Sequence, residues 1–156
     1  MCGIAGVIRT DGELADRAGL ERMIRCLGHR GPDSLSCRTY DSGSAALGHA
    51  RLAIIDLSTG DQPMSSGDRN VGLVFNGEIY NYVELRDRLR DRGAEFCTRS
   101  DTEVILRLYE LDGAAAIDRL AALCNSAMST EASAAWFIAS STSGSIRLPP
   151  RRVRVP

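Results

Sequence analysis

The second residue of the chain is a cysteine, and this position allows chemistry that an internal cysteine cannot perform. A small second residue permits removal of Met1, which leaves Cys2 with both a thiol and a free α-amine. An unperturbed α-amine has a pKa of about 7.7 to 8.0 and a thiol one of about 8.5, so the amine can relay the thiol proton near neutral pH. Cys2 is therefore a candidate nucleophile that needs no histidine. On position alone, a packing residue in a buried strand is the more frequent role of such a cysteine.

The elements that follow Cys2 must fix its position. An apolar run at residues 4–8, closed by Asp11-Gly12, predicts a buried strand and a turn. The spacing of Leu20, Met23, Ile24 and Leu27 predicts an amphipathic helix that ends at Gly28. The chain start is thus expected to be held inside the fold.

Further along, short apolar runs alternate with turn residues and then give way to helical patterns. Residues 45–50, 52–55 and 71–75 are predicted to be strands, and their spacing favours antiparallel pairing. Residues 82–92 are predicted to form a surface helix terminated by Gly93. Ser100 and Glu103 have the spacing of a capping box, which predicts a helix over residues 101–111.

Composition excludes several function classes. The 156 residues carry a formal net charge of -1, so no global positive field attracts nucleic acid or an anionic membrane, and a small neutral or zwitterionic substrate fits better. No apolar run approaches the ~20 residues of a membrane span, which favours a cytoplasmic location. The five scattered cysteines predict free thiols, with neither a disulfide framework nor a zinc site.

Five segments in order carry a resemblance to a known family. They read HRGPD at residues 29–33, RLAIIDL at 51–57 followed by Gly60, QPM at 62–64, FNGEIYNY at 75–82 and SDTEV at 100–104. Together with the Cys-Gly start, they resemble the N-terminal class II glutamine amidotransferase domain of glutamine-dependent asparagine synthetases over about residues 1–120. Other amidotransferases that start with Cys-Gly have different later motifs. A close relative acting in antibiotic or cell-surface biosynthesis remains an alternative.

The resemblance implies an α+β fold, a four-layer αββα sandwich of two antiparallel sheets of the N-terminal-nucleophile hydrolase type. It implies that Cys2 attacks the side-chain amide of glutamine, releasing ammonia and forming a thioester that water hydrolyses to glutamate. Asn76 and Gly77 would bind the oxyanion, although an isolated Asn-Gly pair more often forms a hairpin turn.

The resemblance also assigns the groups that bind glutamine. Arg51 would bind the α-carboxylate through two parallel hydrogen bonds, and Asp101 would bind the α-ammonium. Taken alone, Arg51 would more often be a solvated surface charge and Asp101 a helix-cap residue. Glu78 is expected to assist ammonium binding, and Ile54 is a further expected glutamine contact. His29, Arg30 and Asp33 are assigned to loop architecture or to closure of the glutamine pocket. His49 is expected to lie next to the core.

The match ends at about residue 120. Segments resembling LNGMFAF and ARDRxGxKPL, which the family carries next, are absent, and residues 121–156 are rich in Ser, Ala, Arg and Pro. Every basic residue in the chain is arginine, which suggests a GC-rich gene. We therefore expect an incomplete domain at 1–120 and a disordered, non-matching tail at 121–156, produced by truncation or a frameshift.

The family's ATP-dependent synthetase domain has no counterpart in the sequence. ATP and Mg would belong to that domain, so no cofactor is expected in this chain, and aspartate amidation would need a synthetase domain or a separate synthetase chain. The alternatives are an inactive fragment or pseudoenzyme without a catalytic role, and an anion-binding or partner-binding arm formed by the arginine-rich tail.

Overall fold

The computed structural model describes residues 2–53, 59–67, 71–120, 122–130 and 137–140, the last two ranges by their backbone. The strands are β1 (Gly3–Ile8), β2 (Ser34–Tyr40), β3 (Ala45–Arg51), β4 (Met64–Ser65), β5 (Val71–Ile79), β6 (Ala122–Thr130) and β7 (Phe137–Ser140). The helices are α1 (Arg17–Cys26), α2 (Tyr82–Asp91) and α3 (Asp101–Asp112), with short 3-10 turns at Asp41–Gly43 and Gly113–Arg119.

The strands form two antiparallel sheets. Sheet A has the order β1-β3-β2, with Gly3 opposite Ala50 and Ser34 opposite Arg51. Sheet B has the order β4-β5-β6-β7, and β5 pairs with β6 along its whole length. Since the central strand β3 is buried along its full length, it must be covered on both faces.

Three apolar clusters separate four layers. Leu20 and Ile24 of α1 pack on Ala46 and Ala50 of β3, which forms the outer cluster of sheet A. The second cluster lies between the sheets and joins residues of β2, β3 and β5, with Ile4 of β1 packed against it: Tyr40, Ala45, Leu47 and Val74. The third cluster packs residues of sheet B against α2 and α3, among them Leu73, Phe75, Leu89, Val104 and Leu106. The layers are therefore α1, sheet A, sheet B and the α2–α3 pair, and the predicted αββα sandwich is confirmed.

Close packing of α1 on sheet A depends on a glycine. A Cβ at Gly48 would lie 2.4 Å from Ile24 Cγ1, so any larger residue would push the helix away from β3. Ile24 is 1% exposed, and burial of such a side chain stabilises the fold by about 1.5 to 3 kcal/mol. Met23 lies outside this contact and is 46% exposed, although the sequence placed it on the same apolar stripe.

Several local predictions differ from the structure. The strand predicted at 52–55 is not seen at Leu52 and Ala53, because β3 ends at Arg51, and Ile54 and Ile55 lie outside the described residues. The predicted capping box is confirmed at Ser100 and wrong at Glu103. Ser100 Oγ accepts from Thr102 N at 3.2 Å, but the Glu103 carboxylate turns instead to the preceding loop.

Two strands lie beyond residue 120, where the sequence predicts a disordered tail. Ala122–Thr130 forms β6 and Phe137–Ser140 forms β7, and both belong to sheet B by backbone pairing. Sparse apolar periodicity hid both strands, and β6, which lies between β5 and β7, is fixed by its neighbours' backbone groups as well as by its own side chains. The boundary at residue 120 stays a prediction, and residues 121, 131–136 and 141–156 lie outside the described residues.

Candidate active site

Cys2 lies immediately before β1, at the end of sheet A where β3 stops. Leu52 N donates to Cys2 Sγ at 3.3 Å, and the thiol lies 3.6 Å from Leu52 O. Continuing the β1–β3 register by one residue sets Cys2 beside Arg51, since Gly3 pairs with Ala50. The candidate nucleophile and the candidate carboxylate-binding group are therefore neighbours.

The HRGPD segment shapes the backbone around Cys2. Arg30 Nε donates to Cys2 O at 3.2 Å, and Asp33 Oδ2 accepts from Ala53 N at 2.7 Å. A Cβ at Gly31 would lie 2.1 Å from Ala50 O, so only glycine allows the loop to approach β3 this closely. His29 Nδ1 lies 3.0 Å from Cys26 O. These contacts are those of loop architecture, and the His29 contact is to a backbone carbonyl of α1.

Arg51 is a buried cation at the end of β3. The residue is 8% exposed, and Nη1 donates to Asp61 Oδ1 at 2.8 Å. Strand alternation places Arg51 and His49 on the face of β3 that carries Leu47, which packs against Val74 of β5. Arg51 therefore lies on the inter-sheet side of the fold rather than in solvent.

Asn76 and Gly77 lie within β5, opposite Asn125 and Cys124 of β6. The hairpin-turn alternative is wrong, because the strand continues to Ile79. By alternation, Asn76 shares the inter-sheet face with Val74, and it is 9% exposed. Gly77 and Glu78 are exposed. A buried amide therefore lies next to an exposed glycine on one strand.

Asp101 occupies the first turn of α3, where the helix dipole favours a negative charge. Its Oδ2 accepts from Ile79 N at 3.3 Å, which ties the start of α3 to β5 two residues after Gly77. Burial raises the pKa of Asp101, the backbone N–H groups of Ile79 and Thr102 only partly offset this effect, and Glu78 adds to the rise. Among the described residues, no cationic side chain contributes to the pKa of this carboxylate.

Three further residues bear on the candidate site: Ile54, His49 and Gln62. Ile54 lies outside the described residues. His49 is 1% exposed, and burial, followed by the charge of Arg51, lowers its pKa to about 4. Gln62, noted in the sequence only as part of QPM, joins β5 to α3 through its side chain. Its Gln-Pro peptide bond is cis, and no sequence signal indicated these side-chain contacts.

A surface cavity of about 540 Å³ lies apart from these residues, between α2 and α3. Its lining includes Arg88, Arg92 and Arg119, and none of the predicted site residues. Asp112 binds Arg92 at 2.6 Å and Arg119 at 2.9 Å, so two of these arginines take part in structural ion pairs.

Within the described ranges, no group of three or more His, Cys, Asp or Glu side chains is arranged to hold a metal ion. Of the helices in this part of the chain, none has the length and apolar character required to cross a membrane. Cys2, Cys26, Cys37 and Cys97 are free thiols.

Comparison with known proteins identifies the family. The family described as "Glutamine amidotransferase domain" matches residues 1–148, and the chain belongs to this family. The chain is 44% identical over 121 residues to "Asparagine synthetase [glutamine-hydrolyzing] 1" of Arabidopsis thaliana, covering 77% of this chain and 20% of the relative. It is 43% identical over 113 residues to the enzyme of the same name from Bacillus subtilis, covering 70% of this chain and 17% of the relative.

The chain thus spans about a fifth of the length of these curated relatives. Among solved structures, the glutamine phosphoribosylpyrophosphate amidotransferase from B. subtilis superposes with a TM-score of 0.72 at 21% identity, over 89% of this chain and 37% of that one. At this identity the likeness shows the fold alone. The predicted resemblance to asparagine synthetase amidotransferase domains is confirmed, while the roles of individual site residues stay predictions.

Proposed function

We propose that this chain hydrolyses glutamine to glutamate and ammonia, with Cys2 as the nucleophile. The observation that carries the proposal is the placement of Cys2 against Leu52, in register with the buried Arg51, in a chain that belongs to the glutamine amidotransferase domain family. A zwitterionic amino acid needs a cation for its carboxylate and an anion for its ammonium. Arg51 and Asp101 supply this pair of charges.

In the proposed first step, the Cys2 sulfur attacks the side-chain carbonyl carbon of glutamine while the α-amine takes the thiol proton. The tetrahedral oxyanion accepts hydrogen bonds from the Asn76 amide and the Gly77 N–H. Such donors typically contribute about 3 to 4 kcal/mol to barrier lowering. Collapse breaks the C–N bond, and the proton from the amine leaves with ammonia. The product is a γ-glutamyl thioester on Cys2.

In the second step, water attacks the thioester carbonyl, and the α-amine takes a proton from that water. The C–S bond breaks, and glutamate leaves as the proton returns to sulfur. Because nucleophile and base belong to one residue, the mechanism needs neither His29 nor His49. This agrees with the contact of His29 with Cys26 O and with the burial of His49.

For the ammonia product we propose transfer to a synthetase domain or separate synthetase chain that amidates aspartate with ATP and Mg. The support is the identity to glutamine-hydrolysing asparagine synthetases, whose length this chain covers by about a fifth. ATP-dependent biosynthesis favours a cytoplasmic location.

Glutamate release from glutamine tests the proposal. The purified chain, shown by mass spectrometry to start at Cys2, should release glutamate, and Cys2→Ala should abolish this activity. Cys26→Ala is the matched control, because Cys26 is an exposed free thiol at the end of α1, and it should retain activity. A folded chain with a free Cys2 amine and no glutamate release would favour the inactive-fragment alternative.

A further inference from the structure

Two consecutive residues, Asp61 and Gln62, contact the elements that carry the proposed glutamine-binding groups. They lie in the connection between β3 and β4, outside any helix or strand. Neither has a role in the mechanism above. Their contacts nevertheless reach β3, β5 and α3, which are the elements that hold Arg51, Asn76 and Asp101.

Gln62 fastens this connection to sheet B and to α3. Its Oε1 accepts from Phe75 N at 2.6 Å, and its Nε2 donates to Thr102 Oγ1 at 3.2 Å. Its backbone carbonyl accepts from Ser36 Oγ of β2. Phe75 directly precedes Asn76, and Thr102 directly follows Asp101. The Gln62 amide therefore holds the residue before the proposed oxyanion donor and the residue after the proposed ammonium ligand at a fixed separation.

Asp61 contacts Arg51, the proposed carboxylate-binding residue. Its carboxylate accepts from Arg51 Nη1 at 2.8 Å, although the Asp61 side chain is 78% exposed while that of Arg51 is 9% exposed. A buried guanidinium is costly without a nearby anion, because burial removes its hydration. Asp61 supplies that anion from the solvent side. Because Gln62 is hydrogen-bonded to three elements, β2, β5 and α3, the fold restricts where the neighbouring Asp61 carboxylate lies.

We propose that Asp61 and Gln62 are positioning residues of the glutamine site, an inference that rests on the proposed function. Asp61 holds the Arg51 guanidinium where the substrate carboxylate binds, and Gln62 keeps that contact in register with Asn76 and Asp101. Site groups that are fixed before the substrate arrives bind it without paying an ordering cost at that moment.

Two electrophiles that react with the Cys2 thiol separate positioning from simple damage. A glutamine-mimicking diazoketone carries the α-carboxylate and α-ammonium of glutamine, whereas iodoacetamide carries neither. In the wild type, the ratio of their rate constants at Cys2, measured by mass spectrometry of the N-terminal peptide, reports glutamine recognition. Iodoacetamide alone reports access to the thiol and its reactivity, so a merely structural defect changes both rates.

Asp61→Asn should lower this ratio about tenfold, the size of one charge-assisted hydrogen bond, with the iodoacetamide rate unchanged. Asp61→Glu should restore part of the loss. Asp87→Asn is the matched control, since Asp87 is an exposed acid paired with the exposed Arg90, and it should leave the ratio unchanged. Gln62→Met should lower the ratio by at least as much, because it removes both amide hydrogen bonds.

The outcomes are distinguishable. A wild-type chain with no preference for the diazoketone would overturn the proposed function, and this inference with it. A strong wild-type preference that survives in Asp61→Asn and Gln62→Met would overturn the inference alone. An increased preference in Asp61→Asn would also overturn it, because Asp61 would then compete with the substrate carboxylate for Arg51.

Discussion

The first turn of α3 directs two buried carboxylates to two regions of the molecule. Asp101 turns towards β5 and the candidate site, and Glu103 turns towards the loop before the helix. They are 5% and 2% exposed. Burial acts on both, yet the pKa of Asp101 is raised and that of Glu103 is lowered. Burial alone therefore cannot explain the difference.

The difference lies in the donors that each carboxylate receives. Glu103 accepts from Cys97 N at 3.0 Å, from Thr98 N and Thr98 Oγ1 at 2.7 Å, and from Arg107 Nη2 at 3.0 Å. Burial raises the pKa of Glu103, but the hydrogen bonds from Thr98, Cys97 and Arg107 outweigh it. Asp101 has backbone donors and the adverse charge of Glu78. Glu103 receives enough hydrogen bonds from neighbouring residues to have a structural role. Asp101 has no cation among the described groups that shift its pKa, so it is suited to bind an ammonium group.

Glu103→Gln gives the largest expected effect and tests the structural half of this comparison. Loss of the charge should lower the free energy of unfolding by about 3 kcal/mol, because removing one partner of a buried pair leaves Arg107 and the loop donors poorly satisfied. The KM for glutamine should change little. Denaturant unfolding and steady-state kinetics measure the two quantities, and a large rise in KM with unchanged stability would reverse the assignment.

Asp101→Asn tests the proposed role of Asp101 in glutamine binding. It should change the KM for glutamine strongly and the free energy of unfolding little. The KM for glutamine should rise about 10- to 100-fold, because one charge-assisted interaction contributes about 1.5 to 3 kcal/mol. The unfolding free energy should stay within about 1 kcal/mol of wild type, since the neutral amide removes a costly buried charge and still accepts from Ile79 N. Glu103→Gln serves as the control on the same helix turn.

His49 on β3 is a third buried titratable residue. Its expected effect on the free energy of unfolding, per pH unit, is the smallest of the three. Its folded pKa of about 4 lies below the ordinary value of 6.5, so between these values the unfolded state binds the extra proton. Stability should therefore fall as pH decreases through this window, by about 1 kcal/mol per unit, with the full contribution present above pH 6.5. The backbone of Phe75 and the charge of Asp61 oppose this lowering of the pKa only in part.

Denaturant unfolding between pH 4.5 and pH 7.5 measures this slope. His49→Asn should reduce the part of it that comes from this residue, whatever its effect on total stability. His29→Gln, at an exposed loop histidine, is the control and should keep the wild-type slope. An unchanged slope in His49→Asn would show that other groups cause the pH dependence.

Much of the fold followed from the sequence, for identifiable reasons. The apolar stripes of α1 and α3 predicted these helices, and the continuous apolar runs of β3 and β5 predicted strands because both are buried over consecutive residues. The end of β5 was missed because Asn76 and Gly77 are poor strand formers that pairing with β6 holds in place. The capping box failed at Glu103 because a loop with three donors outcompeted the Ser100 N–H.

Some features of the candidate site could likewise be predicted from the sequence, and others could not. Its position made Cys2 a candidate nucleophile, and the family motifs then assigned that role to Cys2 and the glutamine-binding roles to Arg51 and Asp101. The Asp61–Arg51 pair and the Gln62 contacts could not be predicted, because they join segments brought together only by the sheet packing. The opposite pKa shifts of Asp101 and Glu103 likewise depend on the donor geometry around each carboxylate.

The central claim is that Cys2, with its own amine, is the nucleophile. Acid-quenching the chain during glutamine turnover and mapping the adduct by peptide mass spectrometry tests it directly. The account predicts a hydroxylamine-sensitive γ-glutamyl thioester on an N-terminal peptide that begins with Cys2 and lacks Met1. Glutamate release with the adduct on another cysteine, or an adduct on Cys2 with Met1 still attached, would contradict it.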